Sequence, residues 1–156
     1  MTDFVEDGVT DRDVFVSRSF AAPREVVWRF WTEPARLASW FGPPGVTVEA
    51  SSVVVELEEG GRWQLTMIDD RSGSRHPVAG RIVSFRAPEH LEIAMTAQTA
   101  AGDADVLLRV TFHDHGDRTR TTLHQGPFDP AVRDLTRAGW ALSLDQLSAL
   151  LEGNIP

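Results

Sequence analysis

The chain has 156 residues, 42% of them apolar and 24% charged, with a net charge of −8 and a pI near 5.0. That is the composition of one ordinary globular domain, long enough to bury roughly 70% of its unfolded surface. The acidic balance argues against non-specific nucleic-acid binding and against docking on anionic lipid, and the absence of cysteine removes disulfides, thiolate metal sites and thiol nucleophiles. All fifteen basic side chains are arginine, so Schiff-base chemistry on a lysine is excluded as well.

Residues 1–12 read as an acidic leader with neither the basic nor the apolar region of a signal peptide, so a cytoplasmic location is expected. One domain is expected over residues 13–153. Its first strand is Val14–Phe20, rich in β-branched and aromatic residues. Pro23 opens a short helix running to about Thr32; Pro34 stops it and opens a second, Ala35 to about Trp40, ending at Gly42-Pro43-Pro44-Gly45. From Val46 onward the pattern is β. Strands are expected at Val46–Ala50, Ser52–Leu57, Arg62–Ile68, Pro77–Phe85, His90–Gln98, Val106–His113 and Arg118–Gln125, with a tip at Ala101-Gly102-Asp103. Within Pro77–Phe85, Ile82 and Ser84 compete with Val83 and Phe85 for the inner face.

The last stretch organises the rest. Asp129 suits a helix cap, Pro130 the first helical position and Gly153 the left-handed exit. Between them Trp140, Leu144, Leu147 and Leu151 make an apolar stripe, which Val132, Leu135, Leu142 and Leu150 widen. So broad an apolar face needs a partner surface, and an antiparallel meander apolar on one side supplies it. The fold class is α+β, a curved antiparallel sheet of about seven strands wrapped around a long C-terminal helix, with two short helices after the first strand.

Several runs carry a family resemblance. Pro23-Arg24-Glu25-Val26-Val27-Trp28, then Pro34, Leu37 and Trp40-Phe41-Gly42-Pro43, are similar to the N-terminal signature of the AHSA1-like family, named for the activator of Hsp90 ATPase. Gly60-Gly61-Arg62-Trp63, Gly80-Arg81-Ile82 with Pro88 and Leu91, and Gly139-Trp140 with Leu144 and Leu147 resemble its central strands and terminal helix. The resemblance covers about residues 13–152 and implies the helix-grip fold of the START/Bet v 1-like (SRPBCC) superfamily. It also implies a cavity between sheet and helix. Members bind varied apolar ligands, and a minority catalyse cyclisation or related steps.

The residues offer a matching candidate site. Trp40, Phe41, Trp63, Phe85, Phe112 and Trp140, with Met67 and Met95, would line an apolar, plastic pocket; the rival reading makes them core filling. The five histidines invite a metal or acid–base reading, but no HExxH spacing and no clustered third ligand accompanies His113-Asp114-His115. No phosphate-cradling glycine loop or dinucleotide fingerprint is present, so no metal or cofactor is expected. Arg62, Arg81, Arg109, Arg118 and Arg120 are candidates to hold a ligand carboxylate, although alternation puts Arg109 on the outer face. The leading expectation is therefore a binding protein for an apolar or amphipathic small molecule. The rivals are an enzyme of the cyclase, dehydratase or hydrolase kind using a pocket histidine or carboxylate, and a co-chaperone-like module with a protein partner. Antiparallel edge strands leave a homodimer open.

Overall fold

A computed structural model describes residues 12–99 and 102–152. In chain order the elements are β1 (Val14–Phe20), α1 (Arg24–Thr32), α2 (Pro34–Ala38), β2 (Val46–Val48), β3 (Val54–Val55), β4 (Arg62–Asp69), β5 (Arg75–Arg86), β6 (His90–Thr99), β7 (Gly102–His115), β8 (Arg118–Gly126) and α3 (Pro130–Leu151). Strands β4 to β8 form an antiparallel meander, and β1 pairs with β8 to give the order β1-β8-β7-β6-β5-β4-β2. The sheet curls around α3, as the helix-grip reading expects.

Prolines punctuate the helices. Pro23 stands extended before α1, and Glu33, extended because it precedes Pro34, separates α1 from α2. Beyond α2 the chain turns at Gly42, whose φ of +97° is a left-handed conformation that L side chains resist. A Cβ there would also meet Val46 Cγ2 at 2.7 Å.

Alternation orients the sheet. Trp63 and Leu65, Ile82, Leu91 and Ile93, Leu108 and Val110, and Leu123 are all buried on the face turned to the helices. The ambiguity within β5 resolves through a β-bulge between Ile82 and Ser84. Ile82 lies opposite Ile93 and Phe85 opposite Leu91, so both turn inward across the extra residue, while Val83 is 48% exposed.

The structure corrects several boundaries. The expected strands Val46–Ala50 and Ser52–Leu57 shrink to β2 and β3, two short pieces on the same edge of β4 with a 3-10 turn at Ala50–Ser52 between them. Ser52 causes the break: its hydroxyl accepts from Thr66 N–H at 2.8 Å, taking the place of a ladder carbonyl. The pair β6/β7 continues past Gln98 and Val106 to Thr99 opposite Gly102. Its Ala, Gln, Thr and Asp residues lack the apolar alternation that announces a strand. Asp129 does not cap α3 with its side chain; the Asp129 carbonyl accepts from Arg133 N–H, and its carboxylate lies 3.8 Å from Arg12. Leu135 and Leu142 do not join the buried stripe, being 75% and 45% exposed. Gly153 lies outside the described residues.

Helix α3 is held at both sides. Arg18 on β1 pairs with Asp145 at 2.6 Å, and Gln146 Nε2 donates to the carbonyls of Trp40 and Gly42 in the linker after α2.

Candidate functional site

The face between sheet and helices has two unlike ends. At one end the indoles close up. Trp31 lies at the centre of an aromatic block, its ring centroid 5.0 Å from Trp40, 6.5 Å from Trp63, 6.3 Å from Phe112 and 5.8 Å from Trp140. Two of these indoles also finish α1. The last carbonyls of a helix have no partner within it. Trp40 Nε1 donates to Phe30 O at 2.8 Å and Trp63 Nε1 to Trp31 O at 3.0 Å.

At the other end a cleft remains. It has a volume of about 290 Å³ and runs under the N-terminal half of α3. Thr136, Gly139, Trp140 and Ser143 form its helix wall; Met67, Val78, Met95, Thr96 and Gln125 form its sheet wall. Phe41, Gly42 and Pro43 of the linker and His76 and Pro77 of β5 complete the lining. The gap follows from side-chain size: positions 136, 139 and 143 recur on the helix face shared by Trp140, and all three are small. A Cβ added at Gly139 would meet nothing within 4 Å. Farther along α3, Leu144 and Leu147 fill the same face and are buried.

The eight candidate residues therefore part company. Phe41, Met67, Met95 and Trp140 line the cleft. Trp40, Trp63 and Phe112 are buried in the aromatic block behind it, and Phe85 packs partly buried against the core at the β-bulge. Phe41 and Trp140 belong to both regions, meeting edge-on at 5.5 Å and 89°. Sequence reasoning missed Trp31, Gln125, Gly139 and Ser143. The spacing of Thr136, Gly139 and Ser143 around Trp140 was the available signal for the helix wall. Gln125 is buried at 5% exposure, where its Oε1 accepts from Trp140 Nε1 at 2.8 Å and its Nε2 donates to the Met95 sulfur at 3.3 Å.

The charged candidates lie elsewhere. Arg109 borders a second hollow on the outer face of the sheet, together with His90, Glu92 and His124. There His90 bonds to Glu92 at 2.7 Å and to Thr111 at 3.0 Å, and His124 meets Asp13 at 3.1 Å. Arg62 grips Glu56 through both its guanidinium and its backbone N–H, which holds the Glu56 carboxyl down at about 2. Arg75 likewise holds Glu49 below the usual carboxylate range. Among the described residues, no group of three or more His, Asp or Glu is placed to bind a metal ion. No helix among them is long and apolar enough to cross a membrane.

A long C-terminal helix laid against a curled antiparallel sheet is the fold that the family resemblance implied. Residues 21–152 match the family model described as activator of Hsp90 ATPase homolog 1-like protein. The chain belongs to that family. No curated protein matches it. Among solved structures similar to this AHSA1-like chain is protein CV1439 from Chromobacterium violaceum, with a TM-score of 0.80 and 24% identity over 90% of this chain and 98% of that one. The AHSA1 protein from Silicibacter pomeroyi gives 0.79 and 23% over 91% and 99%. CalU16 from Micromonospora echinospora gives 0.67 and 22% over 89% and 75%. At these identities the likeness establishes the fold alone.

Proposed function

We propose that this AHSA1-like protein binds a small apolar or amphipathic molecule in the cleft beneath α3. The observation that carries the reading is the cleft itself. It is about 290 Å³, near the lower end of the range for small-molecule sites, and Phe41, Met67, Val78, Met95 and Trp140 give its walls large apolar surfaces. Methionines and aromatic rings suit a ligand of irregular apolar shape. His76, exposed at the rim, is the one titratable side chain among the described lining residues. No carboxylate is among the lining residues, which favours holding a ligand over transforming it.

Native against denaturing mass spectrometry on protein purified from its own source tests this reading. The expected result is a stoichiometric small molecule released on denaturation, and a Gly139→Phe variant, which fills the cleft, should lose it. Retention of the molecule by that variant would place it elsewhere and sink the proposal.

A further inference from the structure

One side chain in the cleft has hydrogen-bonding capacity that its apolar neighbours do not use. Gln125 sits on β8 with 5% exposure and lines the cleft. An indole N–H only donates, so its contact with Trp140 Nε1 at 2.8 Å determines which end of the amide faces the helix. The oxygen must be there, and the NH2 must face the other way. On that side the only acceptor found among the described residues is the Met95 sulfur at 3.3 Å. A thioether is a weak acceptor, and an amide nitrogen carries two hydrogens, so this donor is under-used. Buried donors in native proteins are paired as a rule, because leaving one unpaired costs more than making the bond gains.

We infer that the ligand is a neutral apolar molecule with a carbonyl oxygen (a ketone, ester, lactone or amide) and that Gln125 Nε2 donates to that oxygen. The inference rests on the cleft being the binding site. The lining suits a carboxylate less well. No arginine borders the cleft, its one titratable side chain, His76, stands exposed at the rim rather than beside Gln125, and a buried carboxylate needs a cation or several donors. A pure hydrocarbon would fill the space while leaving the Gln125 nitrogen with sulfur alone. A carbonyl oxygen satisfies the donor, and its carbon frame can lie on Met67, Val78 and Trp140.

Isothermal titration calorimetry with two probes of nearly equal shape, 2-acetylnaphthalene and 2-isopropenylnaphthalene, tests the inference. The ketone should bind the wild-type protein about tenfold more tightly than the hydrocarbon, the effect of one added hydrogen bond. In Gln125→Leu the two probes should bind alike. Met95→Leu, which removes the sulfur and keeps the amide, should preserve the preference and carries the test if Gln125→Leu does not fold. Equal binding of both probes to wild type, or a preference that survives Gln125→Leu, overturns the inference, as does failure of both probes to bind at their solubility limit. Gly139→Phe separates the two levels of failure. If it abolishes the binding of indiscriminate probes, the cleft stands and the role of Gln125 falls. If both probes still bind, the cleft reading falls too.

Discussion

The two ends of the face under the helices are built from the same materials and come out differently. Trp31, Trp40, Trp63 and Phe112 form a closed block, whereas Phe41, Met67, Met95 and Trp140 surround open space. Strand β4 serves both, Trp63 in the block and Met67 in the cleft, two alternations apart on one side of the strand. What differs is the helical cover. Over the block lie α1 and its indoles, large enough to interdigitate with the sheet. Over the cleft lies the stretch of α3 whose inward positions are Thr136, Gly139 and Ser143. An apolar face becomes a core or a cavity according to the volume that the opposing element brings to it.

The comparison breaks most visibly if the block is not a true core. Trp31→Ala removes a fully buried indole at its centre and should cost about 3–5 kcal/mol in urea unfolding. A loss under about 1.5 kcal/mol would mean that the block is loosely packed and that the contrast is one of degree. Met67→Ala should behave otherwise. Its side chain already borders open space, so little new cavity is created, and the stability loss should be about 1 kcal/mol. A probe in the cleft, however, should lose several-fold in affinity. If Met67→Ala and Trp31→Ala cost the same, the cleft is filled in solution.

The helix-grip architecture was legible because it rests on periodicity. Trp140, Leu144 and Leu147 recur at helical spacing, Val106 to Phe112 alternate, and proline or glycine marks the turns; all of these are local. The site was half legible for the same reason. Alternation puts Trp63 and Met67 on one face, but it cannot say that α1 will cover the first and leave the second open. Trp31 lay in plain view in the most aromatic stretch, yet its central place depends on four elements and the linker after α2 meeting. Gln125 was invisible for another reason. A polar residue ending an otherwise ordinary strand reads as a surface residue until Trp140, fifteen residues on, is seen to face it. The bulge in β5 was illegible too, since one extra residue swaps the inner and outer sets midway along a strand.

A smaller effect sharpens the account of why the cleft exists. Gly139 sits inside α3, where glycine is less favourable than alanine by about 0.5–1 kcal/mol, and a Cβ there meets nothing within 4 Å. Gly139→Ala should therefore raise stability by about that amount in thermal or urea unfolding. It should also narrow the cleft by one methyl, slightly weakening a probe that fills it. A destabilised Gly139→Ala variant would show that α3 packs closer to the sheet than the cleft requires.

The smallest effect concerns the start of β4, the strand common to both regions. Glu56 receives the Arg62 guanidinium at 2.8 Å and the Arg62 backbone N–H at 2.9 Å, and these bonds bring its carboxyl from the ordinary 4.5 to about 2. A carboxylate whose folded pKa is depressed adds stability at pH values above its unfolded pKa and loses it as pH falls through the folded one. The contribution should be whole above about 4.5 and fade towards 2, opposite in sign to that of a group raised by folding. Carboxyl-carbon NMR should find the Glu56 midpoint near 2, and Arg62→Gln should return it towards 4.5. Both groups are solvent-exposed, so the gain in stability is modest and screened by salt. An unshifted midpoint would show that the pair does not persist in water. Val55 and Trp63 would then stay in register through their backbone pairing and the packing of the block alone.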